Sequence, residues 1–263
     1  MVPNVLDPYL PYMPSFMLVL FRMSGIFIFS PVFGSRLVPT QVRVLLAFAL
    51  ALCVFPVLPS QRPIALDLLT LPILVGTELM IGYIIGYGAN LPLLAIQYGG
   101  MMMGQQMGLG LARVLNPEFE GQTGVLGQLL FMMAMSTFLM LNGHHLMLAT
   151  LIRSFHAVPL GGFTPTAGVV DLLLGLLSSM IDVGMRVSAP VLCLVFMETV
   201  ALGFVSRTVP QLNILSLGFP IRIMVGLLFM MPVVTLTQDV YIDAVNDSMS
   251  SLWDAFAPLL TKP

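Results

Sequence analysis

Long apolar runs are the feature that most constrains the fold of this sequence. A helix that crosses a bilayer needs about 20 mostly apolar residues. Hydrophobic residues fill 58% of the 263 positions and charged residues fill 8%, whereas charged residues make up about 25% of a soluble domain. So few charges cannot cover a soluble domain of this length. The sequence therefore predicts an all-α integral membrane protein, with helical runs at about residues 9–33, 41–58, 64–96, 125–151, 169–205 and 221–258.

Runs 64–96 and 169–205 are longer than one straight crossing requires. Run 64–96 contains Pro92, and run 169–205 contains Pro190. Proline interrupts the hydrogen bonding of a helix, and a long helix also fits a bilayer by tilting. Each run is therefore predicted to be a long tilted helix, a kinked helix or a hairpin.

Glycines mark two segments of the chain. Gly82 and Gly86 form a GxxxG pair, which permits close approach of two membrane helices. Segment 99–124 is dense in glycine, which predicts a loop rather than a regular helix. The same segment is apolar and rich in methionine, so we expect it to pack away from water against other apolar side chains and to form a deformable seal. The candidate seal residues on this ground are Met101, Met102, Met103 and Met107.

Several ionisable residues interrupt the apolar runs. A charge in such a place is costly and normally faces a partner, a water-filled path or another subunit. Asp182 and Arg186 are four residues apart, in the order that favours pairing along a helix. The other four have no opposite charge within a helical turn, so their partners must be distant in sequence or lie in another chain. They are Arg22, Glu78, Glu198 and Arg222.

The remaining polar residues exclude several classes of function. The sequence has no Walker loop, no GxSxG elbow and no His, Cys, Asp or Glu set at zinc spacing, so we predict no catalysis, no metal and no cofactor. No basic cluster exists for nucleic acid. Because no Lys or Arg precedes Arg22, we expect the first apolar run to stay in the mature protein.

The last part of the chain has an acidic periodicity. Asp239, Asp243 and Asp247 recur every four residues among apolar positions. This spacing predicts an amphipathic helix with one acidic face. That face is either simply solvated or in contact with a basic partner.

Six motifs, in order, resemble those of the flagellar biosynthetic protein FliR family and of its counterparts in virulence type III secretion, the SctT family. The first is Arg22 with Pro31-Val32-Phe33-Gly34, Pro39 and Arg43, and the second is Gly104-Gln105-Gln106-Met107-Gly108-Leu109 with Asn116-Pro117. The others are Asn142-Gly143-His144-His145, Phe155-His156 with Pro159, Ala201-Leu202-Gly203, and Pro210-Gln211-Leu212-Asn213-Ile214 with Gly218-Phe219-Pro220.

The resemblance implies a fold, partners and a place in the cell. The chain would be one domain over residues 1–263, built of long bent helical hairpins like a P-like and a Q-like unit joined together. It would join P-type, Q-type and B-type subunits (FliP, FliQ and FlhB-like) in a helical export gate. The gate would lie in membrane lipid of the bacterial inner membrane, at the flagellar basal body, and unfolded flagellar proteins would pass through it.

The resemblance also implies roles for the residues singled out above. Segment 99–124 would be a plug loop inside the pore, and the charged residues would serve subunit interfaces. The lumen or seal contacts of the plug would be Met101, Met102, Met103, Gln105, Gln106, Met107, Val114, Leu115 and Phe119. Those interface residues would be Arg22, Arg43, Glu78, Asp182, Arg186, Glu198 and Arg222.

Two other functions stay open at this point. The first is the equivalent subunit of a virulence secretion system, although Gln106-Met107-Gly108-Leu109 and Asn142-Gly143-His144 favour the flagellar branch. The second is a small transporter or channel that works alone, with Glu78 and Glu198 as ion sites. A transporter of that kind predicts internal pseudo-symmetry of broken helices, which the sequence does not display.

Overall fold

A computed structural model describes residues 10–34, 38–58, 70–110, 124–163, 167–208 and 214–256. These residues form seven α-helices and no strand, and short 3-10 helices at Leu10–Tyr12 and Phe55–Val57 adjoin the first two of them. The α-helices are α1 (Met13–Phe29), α2 (Thr40–Val54), α3 (Leu71–Gln106), α4 (Val125–Met140), α5 (Gly143–Ala157), α6 (Ala167–Thr208) and α7 (Ile214–Phe256).

Four helical segments in the described part of the chain are long and apolar enough to cross a membrane, and α4 with α5 makes a fifth if that bent pair counts as one span. The prediction of an all-α integral membrane protein is therefore confirmed. The four segments are Thr40–Val57, Leu71–Gln106, Gly168–Thr208 and Gly218–Asp254.

The chain divides into two compact units. The first contains Met1–Asn90, Asn142–Leu176 and Asp247–Pro263, and the second contains Leu91–Leu141 and Leu177–Asn246. Helices α3, α6 and α7 each contribute residues to both units. The single domain over residues 1–263 stays a prediction.

Runs 64–96 and 169–205 are continuous helices rather than hairpins. Helix α3 continues through Pro92, and α6 is 42 residues long and continues through Pro190. Run 125–151, by contrast, is divided into α4 and α5. Asn142, with φ of 55°, adopts the left-handed conformation between them, and a residue in that conformation cannot continue a right-handed helix.

The expected start of the loop at residue 99 is wrong, because α3 continues to Gln106. The reason lies in what the glycines contact. A Cβ on Gly99 would lie 2.9 Å from the carbonyl oxygen of Gly184, and one on Gly100 would lie 2.8 Å from Cα of Gly127. These glycines permit close helix packing. Their contacts outweigh the modest intrinsic cost of glycine in a helix.

Glycines also bring α1 and α3 together in the first unit. A Cβ on Gly25 would lie 2.5 Å from the carbonyl oxygen of Leu79, and one on Gly82 would overlap the carbonyl oxygen of Arg22. A Cβ on Gly86 would lie 2.9 Å from the carbonyl oxygen of Ile26. The close approach predicted for the GxxxG pair is therefore confirmed.

Replacing Gly82 by alanine is expected to lower the free energy of unfolding by about 1–3 kcal/mol, because the two backbones must separate to admit the methyl group. The matched control is Gly76→Ala on the same helix, where a Cβ meets nothing within 4 Å. That change is expected to be neutral or stabilising, since alanine is the better helix former. Thermal unfolding in mild detergent, followed by the fluorescence of Trp253, measures both. Equal midpoints would mean that the α1–α3 crossing is wider than described.

Candidate functional site

Two fully buried charges form the polar centre of the first unit. The guanidinium of Arg22 on α1 is paired with the carboxylate of Glu78 on α3, and both side chains are 0% exposed. The two residues are 56 positions apart in sequence. Pairing is what makes burial of such charges tolerable, because an isolated charge in an apolar interior is very costly.

Arg22 also caps the carboxyl end of α5. Its Nη1 donates to the carbonyl oxygens of Ser154 and Val158 at 3.1 Å each, and its Nη2 donates to that of Val158 at 3.1 Å. Its guanidinium carbon lies 4.3 Å above the ring centroid of Phe155. The last carbonyls of a helix lack partners within the helix and carry partial negative charge. A fixed guanidinium is therefore a favourable cap for α5.

Glu78 holds the loop that follows α5. Its second carboxylate oxygen, Oε1, accepts a hydrogen bond of 2.9 Å from the backbone N–H of Gly161. Gly161 has φ of 74°, a conformation that glycine adopts without steric cost. A single ion pair thus connects α1, α3, the end of α5 and the following loop.

The structure assigns different surroundings to the charges predicted at subunit interfaces. Arg22 and Glu78 have no exposed side-chain surface within the chain, because each is the other's partner in the interior. An interface role for these two stays a prediction. The expectation that their partners are distant in sequence is confirmed.

The other predicted charges are at least partly exposed or bound locally. Asp182 and Arg186 form the expected pair at 2.8 Å and are mostly exposed. Arg43 donates from Nε to the carbonyl oxygen of Val38 at 3.1 Å. An interface role for these residues stays a prediction.

Arg222 of α7 and Glu198 of α6 form a looser pair in the second unit. The Nε–Oε2 distance is 3.4 Å, and Arg222 also donates from Nη2 to Oγ1 of Thr199 at 3.0 Å. The other oxygen of Glu198, Oε1, is buried and accepts no hydrogen bond from the described residues. This pair is partly open, unlike the closed centre around Arg22.

The part of the predicted plug that the structure describes is the end of α3 and the turn after it, Met101–Gly110, which we call the plug stem. The stem ends the helix with two hydrogen bonds. Leu109 N–H donates to the Gly104 carbonyl at 3.0 Å, and Gly108 N–H donates to the Gln105 carbonyl at 3.1 Å. Gly108 has φ of 82°. This is the Schellman motif, and it ends α3 at a defined residue.

The predicted seal residues of the stem divide into two groups. Met103 and Met107 are buried, at 0% and 1% exposed. Met101 and Met102 are half-buried, while Gln105 and Gln106 are exposed. Val114, Leu115 and Phe119 lie outside the described residues. The stem thus has an apolar inner side and a polar outer side.

The stem lies against α7. A Cβ on Gly226 would lie within 2.5–2.7 Å of the Cε, Cγ and Sδ atoms of Met107. A Cβ on Gly108 would lie 3.0 Å from two ring carbons of Phe219. Met107 therefore occupies space that only a glycine on α7 leaves free.

Sequence reasoning missed four residues that complete these two centres. Ser154 and Gly161 contact the buried ion pair, and Phe219 and Gly226 contact the stem. Phe219 belongs to a motif that was used for the resemblance, but nothing in its spacing indicated what it touches. No group of three or more His, Cys, Asp or Glu that could hold a metal ion occurs in the described part of the chain.

Comparison with known proteins identifies the family. Residues 13–248 match the family model described as bacterial export proteins, family 1. The flagellar biosynthetic protein FliR of Bacillus subtilis is 32% identical over 220 residues, which cover 82% of this chain and 85% of the relative. The chain belongs to the FliR family of type III export proteins. The resemblance found in its sequence is thereby confirmed.

The FliR family relationship extends to both branches of type III export. FliR of Escherichia coli is 28% identical over 225 residues, covering 85% of each chain. The Yop proteins translocation protein T of Yersinia pestis is 29% identical over 211 residues, covering 79% of this chain and 81% of the relative. The chain is a membrane-embedded component of a type III export apparatus.

Replacing Arg22 by methionine is expected to lower the free energy of unfolding by about 3–5 kcal/mol, because Glu78 is left buried without its partner. Arg186→Met is the control: it breaks an exposed pair and should cost no more than about 1 kcal/mol. Arg22→Lys should also lower the free energy of unfolding, since an ammonium lacks the planar set of donors with which Arg22 reaches two carbonyl oxygens as well as Glu78. Unfolding in mild detergent measures all three. An Arg22→Met protein as stable as Arg186→Met would contradict the assigned role.

Proposed function

We propose that the chain is a structural pore subunit of the flagellar type III export gate. It contributes one sector of the channel through which unfolded flagellar proteins are exported, and segment 99–124 contributes the plug. Its partners are P-type, Q-type and B-type subunits resembling FliP, FliQ and FlhB. The assembly lies in the bacterial inner membrane at the flagellar basal body.

The observation that carries the proposal is the uneven burial of the long helices. The most apolar windows of α6 and α7 are 22% and 17% buried within the chain, against 67% for α3. Helices that are apolar on all sides must be covered by lipid or by other apolar helices. The large uncovered faces of α6 and α7 therefore leave room for several neighbouring membrane subunits to pack against this chain.

The plug stem supports the second half of the proposal. Its buried methionines are unbranched and polarisable, so they pack against irregular surfaces and rearrange at little cost. The Schellman motif at Gly108 fixes where the chain leaves α3. A plug requires a fixed point of attachment to the helix and apolar side chains that can adapt to their surroundings.

Surface charges support the assembly with neighbouring subunits. Five of the charged residues within or beside the apolar helices are at least partly exposed: Arg43, Asp182, Arg186, Glu198 and Arg222. Each remaining polar atom in a membrane interface must find a partner. We therefore propose that these five serve the contacts with the P-, Q- and B-type subunits, with the energy for export supplied by other components.

A virulence secretion system is the second candidate. The similarity to the Yop proteins translocation protein T is nearly as high as that to FliR of Escherichia coli. The two functions differ in the phenotype of a deletion strain. Loss of motility supports the flagellar gate, and unchanged motility with loss of effector secretion supports the virulence system.

Native mass spectrometry tests the assembly. The tagged chain, co-expressed with its neighbouring genes and purified in mild detergent, is expected to appear in a discrete complex with several small hydrophobic subunits of the P and Q types. These subunits are expected to pack against the uncovered apolar faces of α6 and α7. A monomer or a simple homo-oligomer under the same conditions contradicts the proposal and returns Glu198 to the transporter hypothesis.

The seal is tested by a polar change in the plug stem. Met102→Ser is expected to raise the leak of small ions across membrane vesicles that contain the assembled complex, because a hydroxyl attracts water into an apolar closure. Met132→Ser on α4 is the control, since Met132 is an exposed methionine outside the stem. Leak that is identical in the two variants counts against a sealing role for the stem.

A further inference from the structure

A notch on α7 receives the plug stem. The notch consists of Gly226, whose missing side chain leaves room for Met107, and Phe219, whose ring lies beside Gly108. Gly226 itself is buried, and Met107 is 1% exposed. The contact is therefore a closed fit of one flexible side chain into one gap, and any side chain at position 226 would fill that gap.

The gap lies on the inward side of α7. Gly226, Met230 and Val233 are buried, whereas Met224 and Leu228 are strongly exposed. Spacings of four and seven residues place the buried three on one face of a helix. A glycine thus interrupts an otherwise filled apolar stripe, and the side chain that completes the stripe comes from the plug stem.

The segment of α7 that carries the notch lies between two prolines. Pro220 follows Phe219 directly, and Pro232 lies six residues beyond Gly226. Each proline removes one backbone hydrogen bond of the helix. Residues 220–232 are therefore bounded by two weakened points at which a helix bends with least cost.

Polar contacts of a single side chain, Arg222, join this segment to α6 in the described part of the chain. Arg222, one helical turn before Gly226, pairs with Glu198 and donates to Thr199. The pair is long at 3.4 Å, and its Arg222 side chain is 26% exposed. Such partly open pairs stabilise little, so they also permit movement.

We propose that Gly226 and Phe219 are positioning residues of the plug: the α7 notch holds Met107 in the closed gate, and Met107 leaves it when the gate opens. The proposal rests on the plug function proposed above and adds its mechanical control. Bending of α7 between Pro220 and Pro232 would then move the notch and release Met107. Apolar contact without directional bonds suits this role, because it forms and breaks without leaving a buried polar group unpaired.

An ordinary packing role for Gly226 makes a different prediction. If Met107 were only part of a permanent core, fixing it to α7 would leave export unchanged. If Met107 must move, fixing it would stop export. A covalent link between the two positions therefore separates the two roles.

The test uses Met107→Cys with Gly226→Cys in a chain whose native Cys53 and Cys193 are changed to serine. One C–C bond beyond the contacting Cγ, the Met107 Cβ lies no farther than about 4.1 Å from a Cβ at position 226, and disulfides span roughly 3.5–4.5 Å between Cβ atoms. We expect the disulfide to form under mild oxidation in membranes. Failure to form it would overturn the described fit.

Secretion of a flagellar substrate is then measured in a deletion strain that carries the double-cysteine chain. We expect loss of secretion under oxidation and recovery with reductant, while chains with either single cysteine stay insensitive to both. Continued secretion with the disulfide formed would overturn the proposal. The proposed pore function is tested separately, by the native complex and by the ion leak of Met102→Ser. The role of the notch can therefore be contradicted while the pore function stands, and the reverse also holds.

Allele-specific rescue provides a second test that needs no disulfide. Gly226→Ala is expected to displace Met107 and to raise the ion leak of the resting gate. In the double variant with Met107→Ala, the smaller side chain at position 107 leaves room for the new methyl group, so the leak should fall again. Gly203→Ala is the control, because a Cβ there meets nothing within 4 Å. Leak in Gly226→Ala that is no higher than in Gly203→Ala would overturn the proposal.

Discussion

The burial of Arg22 with Glu78 is the constraint on which the first unit depends. A charge in an apolar interior requires a partner of opposite sign and hydrogen bonds for its remaining donors. Arg22 obtains both, from Glu78 and from the final carbonyls of α5, and Glu78 in turn holds the backbone at Gly161. Because each of these bonds is directional, the pair determines the register of α1 against α3 and the position at which α5 ends.

Close packing at glycines, which also brings α1 and α3 together in the first unit, is the main contact described in the second unit. Gly99 meets Gly184 and Gly100 meets Gly127 at distances that exclude any side chain. Lipid gives no hydrophobic reward for bringing two helices together, so close packing at small residues must supply the attraction. The Met107 contact with Gly226 belongs to the same class. Contacts of this kind are weak individually and break without stranding a charge, which suits the unit that carries the plug stem.

These two kinds of contact explain how one chain serves an export apparatus. Under the proposed function, the first unit with its buried ion pair would keep a fixed packing, and the second unit would carry the parts of the plug that rearrange. The exposed apolar lengths of α6 and α7 remain for lipid and neighbouring subunits. This division fits the proposed function, because a channel for unfolded chains must open without losing its subunit contacts.

The sequence by itself determined that the chain lies in a membrane, that it is all-α, and which family it belongs to. The length of the apolar runs and the order of the motifs are properties of the chain alone. The sequence also indicated that Arg22 and Glu78 need distant partners. Only the tertiary structure decided which partners, since Ser154 lies 132 positions from Arg22 and periodicity carries no information over that distance. It likewise decided that Gly99 and Gly100 belong to a helix. A glycine-rich apolar segment has the same composition in a loop and at a helix crossing, and the neighbouring backbone settles the difference.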